Sequence, residues 1–338
     1  MPPKPRTQKQ EAPKSGLLTA LEFCSCVSEK IGAAYETHIG LRNKWAIAFN
    51  GIVAAGSPIA EDIVCHPHTL LLLDALSKCD ENYSLTQLDN NRLSVKSGKF
   101  KAVVPCLDPS IMQVAEPDPM IVGITNKFKE AVEAVGVLAN ENAQHVITAS
   151  VLMNGSTVIS TNRVMLLECW HGLDLPSNVP LPKEFVKALS KQKKNLTGFG
   201  FSRSSATFWF EDGCWMRTQL YADEWPDVSR ILNREANLWT IDANFFKALD
   251  SVAAFSEDGN VYSRLNLLCS HADEGVGATY ECGGIPAGFV YPIKQLKIMQ
   301  PHVKSVDYMA NGVADSSYCL YFVGDSVRGV ISGRQRQQ

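Results

Sequence analysis

One order of elements recurs three times along this chain: an amphipathic helix, short strands, a second helix, then further strands. From one first helix to the next the interval is about 110 residues. A repeat of that length is a whole module with its own core. A chain of 338 residues suits two or three domains of about 100–150 residues, and the repeat selects three: 17–117, 118–234 and 235–334.

The middle copy is the plainest. In "TNKFKEAVEAVGVLAN", Phe128, Ala131, Val132, Val135 and Leu138 fall on one helical face. Strand-like runs follow: "HVITASVLM", a turn at Asn154-Gly155, "TVISTN" and "VMLLECW". Pro182 sits near the first turn of a second helix, "LPKEFVKALSKQKK". "LTGFGFS", "ATFWFED" and "CWMRTQLYA" then close the copy. The first copy opens with the helix "GLLTALEFCSCVSEKIG", and its meander turns at Asn90-Asn91. The third opens with "TIDANFFKALDSVAAFS", where Asp242 is placed to cap the helix. A mixed α+β fold follows.

Composition narrows the function. No run of about 18 apolar residues is present to span a membrane. Residues 1–16 lack an apolar stretch and read as a disordered basic tail. The ten cysteines lie mostly inside apolar runs such as "LNLLCS", where they read as buried thiols in a reducing compartment. The net charge is −3 although the tail carries four bases against one acid and Arg334 and Arg336 add two more. The body is therefore acidic, and any DNA surface on it must be a local stripe.

The lysines offer one. At 100° per residue, Lys183, Lys187, Lys191 and Lys194 share one side of a helix over 182–194, opposite Phe185, Val186 and Leu189. Lys127, Lys247, Lys294 and Lys297 stand on other helices. Such faces are commonly just solvated. Spread over several helices, they also suit sequence-independent contact with DNA phosphates by counterion release.

Catalytic and metal motifs find little. Cys65, His66 and His68 with Cys79, and Cys24 with Cys26, lack the paired spacing of a zinc site. "GFGFS" lacks the lysine of a phosphate loop, and neither a nucleophile elbow nor H-E-x-x-H is present. A Cys-His nucleophile stays open, but no catalytic residue, cofactor or metal ligand is assigned.

Four strings, in order and at matching spacing, resemble the bacterial DNA polymerase III beta sliding clamp. "RLSVKSGKFKAVVPCL" is similar to the hairpin closing that family's first domain. "VISTNRVMLLECW" resembles a T-D-G-H-R-L-A run, with Thr161 and Leu166 kept and Arg163-Val164-Met165 in place of Gly-His-Arg. "NVPLPKEFVKALSK" and "TQLYADEWPDVSRIL" resemble the V-x-V-P-x-K helix and the K-L-x-x-G-x-F-P-D-Y segment. The resemblance runs from about residue 17 to 333 and is weakest in the third copy.

The resemblance implies the DNA clamp fold, in which two chains close head to tail into a ring around double-stranded DNA. It implies a processivity factor without enzymatic activity, tethering DNA polymerase and meeting a clamp loader through short hydrophobic peptide motifs. The peptide pocket carried over by position comprises Ile147, Thr161, Val164, Met165 and Leu166, Pro226, Arg230 and Ile231, and Val330 and Ile331. The altered 163–165 centre and the ending "SGRQRQQ" imply a shifted peptide specificity, as in a phage-encoded clamp. The setting implied is cytoplasmic, in a bacterium or an infected host cell. The alternative is a DNA-binding scaffold of clamp-like fold that does not encircle DNA.

Overall fold

The computed structural model describes residues 16–80, 82–108, 116–139, 143, 145–273, 275–311 and 318–335. The tail assigned to 1–16, apart from Gly16, and Arg336 lie outside the described residues. The chain divides into two compact units, one of residues up to Thr125 with Lys191–Gln219, the other of Asn126–Ser190 with Leu220–Gln338.

In the first unit the helix Gly16–Cys24 buries Leu17, Leu21 and Phe23, and is shorter than the apolar run predicts. It ends in a tight turn at Ser25–Val27. A seven-stranded antiparallel sheet runs in the order 39–42, 45–49, 53–58, 215–219, 205–210, 196–201 and 122–123. Trp215 lies fully buried over this sheet because Gly56 makes room, since a Cβ there would meet the indole at 2.3 Å. A four-stranded sheet holds 66–67, 100–107, 92–97 and 84–88. Its hairpin turns where expected, over the three residues between the paired Leu88 and Arg92, with Asn90 and Asn91 at φ 60° and 51°, a left-handed backbone that asparagine tolerates better than most residues.

The second unit has an eight-stranded sheet ordered 179–182, 150–154, 157–161, 165–170, 327–332, 318–323, 305–311 and 239–240. Its five-stranded sheet is ordered 279–281, 267–269, 260–264, 289–292 and 334–335. The helix Asn126–Gly136 buries Phe128, Ala131, Val132 and Val135, the face that its periodicity predicts. The helix Phe245–Ala253 buries Phe245, Ala248, Leu249 and Val252. Asp242 stands before that helix: its side chain accepts the Asn244 amide at 2.7 Å, and its carbonyl accepts the amide of Phe245, the helix's first residue, at 3.0 Å. The run "HVITASVLM" is not all strand: Val146–Ala149 form one helical turn before the strand Ser150–Asn154. No helix among the described residues is long and apolar enough to cross a membrane.

The repeat is visible in the pairing. Val53–Pro58 pairs with Trp215–Gln219, and Met165–Trp170 pairs with Val327–Ser332, both antiparallel. Each strand of the second pair lies the same interval, about 110 residues, beyond its counterpart in the first. Thus the third strand of one repeat completes its sheet with the last strand of the next.

By that rule two strands lack their partners among the described residues. Thr279–Glu281 is the outer strand of its sheet. Phe100–Leu107 is covered on its outer side only at Cys106 and Leu107, by His66–Pro67, and near Pro105, which accepts the His68 amide. Between Phe100 and Val104 that edge has no strand beside it among the described residues, and Val103 is exposed.

Candidate functional site

A cleft of about 360 Å³ opens in the second unit. Its floor is made where Leu166 pairs with Val330 and Thr161 pairs with Leu166 across adjacent strands. Its rim is the tight connection from Thr161 to Met165. There Asn162 Oδ1 accepts the amides of Val164 and Met165 at 3.1 and 2.8 Å. Thr161 Oγ1 accepts the Arg163 amide at 3.1 Å and donates to the Met165 carbonyl at 2.7 Å. A wall comes from Pro226, Val228 and Ile231, the last on the one-turn helix Ser229–Leu232. Asp227 Oδ1 accepts the Ser229 amide at 2.8 Å at the start of that turn.

Eight of the ten residues proposed from sequence line this cleft: Ile147, Thr161, Val164, Met165, Leu166, Pro226, Ile231 and Val330. Arg230 and Ile331 are not among the lining residues. Arg230 is exposed on its helical turn. Ile331 is fully buried, because neighbouring side chains of a strand take opposite faces and Val330 already faces the cleft. The lining adds Arg163, Val228, Arg234, Tyr318, Cys319 and Ser332. Strand alternation carried some of that signal, since Cys319 pairs with Ser332 and Tyr321 with Val330. Arg234 is held by its own contacts, Nε donating to the Ile231 carbonyl at 2.9 Å and a guanidinium nitrogen to Cys319 Sγ. Burial pushes the Cys319 thiol up, with Arg234 opposing.

Trp225 underlies the wall. It is buried in a cluster with Leu152, Ile159, Leu166 and Leu232, and its indole N–H donates to Ser150 Oγ at 3.0 Å. On its other side a second cleft of about 350 Å³ includes the ion pair between buried Glu168 and Arg328. Arg328 lies 4.9 Å from the centre of the Trp170 ring and donates to the Leu232 carbonyl. The first cleft joins aliphatic walls, hydroxyls and guanidinium groups, a lining suited to holding an extended apolar segment.

The lysine stripe is shorter than its sequence suggests. The helix is Lys183–Ser190, so Lys191 and Lys194 follow it and belong to the other compact unit. The chain leaves the helix where Ser190 Oγ donates to the Lys187 carbonyl, and buried Gln192 donates to the Phe23 carbonyl. Lys191 Nζ reaches the Cys26 carbonyl at 3.4 Å. Lys194 pairs with Asp212 at 2.9 Å; against the pull of burial, Asp212 and Cys214 raise its pKa. Lys183 lies 3.9 Å from Glu184, and Lys297 pairs with Asp250 at 2.8 Å. Lys127, Lys187, Lys247 and Lys294 are exposed on their helices.

The ten cysteines are free thiols, seven of them buried. Among the described residues no group of three or more His, Cys, Asp or Glu is arranged to hold a metal ion. The glycines of "GFGFS" serve packing: a Cβ on Gly200 would meet the Pro119 carbonyl at 2.0 Å, and one on Gly198 the Met120 side chain at 2.4 Å.

No family model matches the sequence, and no curated protein matches it. Solved structures do match the fold. The DNA polymerase III subunit beta from Pseudomonas aeruginosa superposes with a TM-score of 0.76 at 15% identity, over 95% of this chain and 98% of that one. The DNA polymerase sliding clamp from Bacillus subtilis gives 0.76 at 12% identity, over 95% and 97%. The Helicobacter pylori beta clamp bound to a DNA ligase peptide gives 0.73 at 15% identity, over 96% and 98%.

Proposed function

We propose that this chain, which has the fold of the DNA polymerase III beta sliding clamp, is a processivity factor that encircles duplex DNA and tethers a replicative DNA polymerase. The repeats 17–117, 118–234 and 235–334 are its modules. The observation that carries the proposal is the pair of incomplete edges at Phe100–Val104 and Thr279–Glu281. The pairing rule of the other two junctions matches these two strands to each other. When a second copy supplies the partner, the contact is heterologous, and two such contacts close a ring. Closure also covers edges that would otherwise invite aggregation.

Within such a ring, exposed helix lysines such as Lys127, Lys187, Lys247 and Lys294 meet phosphates without reading bases. The cleft at Leu166 and Val330 receives a short hydrophobic peptide from the polymerase or a clamp loader. Tethering is topological and requires no catalysis, cofactor or metal. Replication places the protein in the cytoplasm.

The test is retention on DNA. Loaded onto nicked circular DNA, the protein should stay bound through a high-salt wash and be lost once the circle is cut. Equal retention on circular and linear DNA would instead favour a scaffold that binds DNA without encircling it.

A further inference from the structure

We propose that Arg163 is a specificity residue of the cleft, and that the peptide it selects carries a carboxylate beside its apolar anchor. This deepens the assignment of the cleft as a peptide site and rests on it.

Three observations converge on Arg163. It lies among the cleft's lining residues, on the rim connection between two strands. Its backbone takes φ 72°, a left-handed conformation that glycine adopts freely and arginine does not. The rim fixes that conformation through Thr161 Oγ1 and Asn162 Oδ1, so the chain carries a long cationic side chain where a glycine would sit without strain. Sparsely populated backbone of this kind concentrates at ligand clamps.

The third observation is charge. Arg163 lines the cleft with a second guanidinium, that of Arg234, and the lining contains no aspartate or glutamate. Arg234 is anchored to the Ile231 carbonyl and Cys319. The Arg163 guanidinium has no acceptor among the described residues; its one hydrogen bond there is through the backbone amide. An apolar cleft whose rim carries an exposed arginine with no side-chain acceptor among the described residues complements an apolar side chain next to a carboxylate, because arginine holds carboxylate in a two-pronged geometry. Two sources supply that group, an acidic side chain or the carboxyl end of the partner chain.

Four labelled pentapeptides test this by fluorescence anisotropy on the full chain: Gly-Leu-Ser-Leu-Phe amide, its Asp and Lys versions at the central position, and the Ser peptide with a free carboxyl end. At least one carboxylate peptide should bind about three- to tenfold tighter than the Ser amide, as a partly exposed arginine–carboxylate pair allows. The Lys peptide should bind more weakly than the Ser amide. Preference for the Asp amide assigns the group to a side chain, and preference for the free acid assigns it to the chain end. In Arg163→Gly, which relaxes the backbone and keeps the apolar lining, the preference should vanish while the Ser amide still binds; Arg163→Lys should keep part of it. Equal affinities for all four peptides, or a preference that survives Arg163→Gly, would overturn the role of Arg163 alone. Failure of every peptide to bind either protein would overturn the peptide site itself, and this inference with it.

Discussion

Trp225 shows how one residue can be well placed in sequence and still ambiguous. The stretch "YADEWPDVSRIL" marks a wall of the cleft, but its largest side chain is the anchor beneath the wall, packed on Leu152, Ile159 and Leu232. Trp225→Ala should therefore cost about 3–5 kcal/mol in urea unfolding. Trp225→Phe, which loses the bond to Ser150, should cost about 1–2 kcal/mol. His66 makes a second prediction. It is 2% exposed, and neither ring nitrogen has a hydrogen-bond partner among the described residues. Burial lowers its pKa below 6.5; Arg42 and His38 act in the same sense, and Asp108 opposes them. The unfolded chain therefore takes up the proton first as pH falls. The stability tied to neutral His66 is full above about pH 6.5 and is lost as pH drops through the lower folded value. The urea midpoint should fall between about pH 7.5 and pH 5.5, and His66→Leu should make that fall shallower. His38, His171 and His302 are shifted in the same direction, so some slope should persist.

Elements were legible where a single period ran unbroken. The helix at Asn126–Gly136 and the hairpin at Asn90-Asn91 follow from apolar spacing and turn chemistry alone. The strand Ser305–Asn311 has a weaker signature: its pairing slips between Asp307 and Ala310, and such an irregularity interrupts the alternation that marks a strand. Phe289–Pro292 was hidden for another reason, since Pro292 ends a strand and caps the next helix at once. Val146–Ala149 misled through its β-branched residues; its turn is held by the His145 carbonyl, which accepts the Thr148 and Ala149 amides. The cleft was largely legible because its residues cluster in two short strings. Arg234, Tyr318 and Cys319 reach it only through tertiary pairing. For the helices, Lys127→Ala with Lys247→Ala should reduce the slope of log affinity against log salt by about two in DNA binding. An unchanged slope would remove those helices from the DNA surface. Gly200→Ala should destabilise by about 2–4 kcal/mol in urea titration, because its Cβ has backbone against it.

For the whole molecule, the proposed ring makes a mass prediction. Light scattering at micromolar concentration should give twice the mass of one chain, and Val103→Lys, placed on the incomplete edge, should shift the population toward single chains without lowering the melting temperature of the monomer. A stable monomer from the unaltered protein would remove the ring. The pairing of Val53–Pro58 with Trp215–Gln219 bears also on how the chain is made. On the ribosome, Val53–Pro58 emerges long before Trp215, and its sheet waits through the rest of the first repeat and most of the second before it can be completed. Contacts so distant in sequence close slowly, and a half-built sheet is open to wrong partners meanwhile. Ribosome-bound chains stopped just before Trp215 should be cut by protease around Val53, whereas chains extended well past Gln219 should resist.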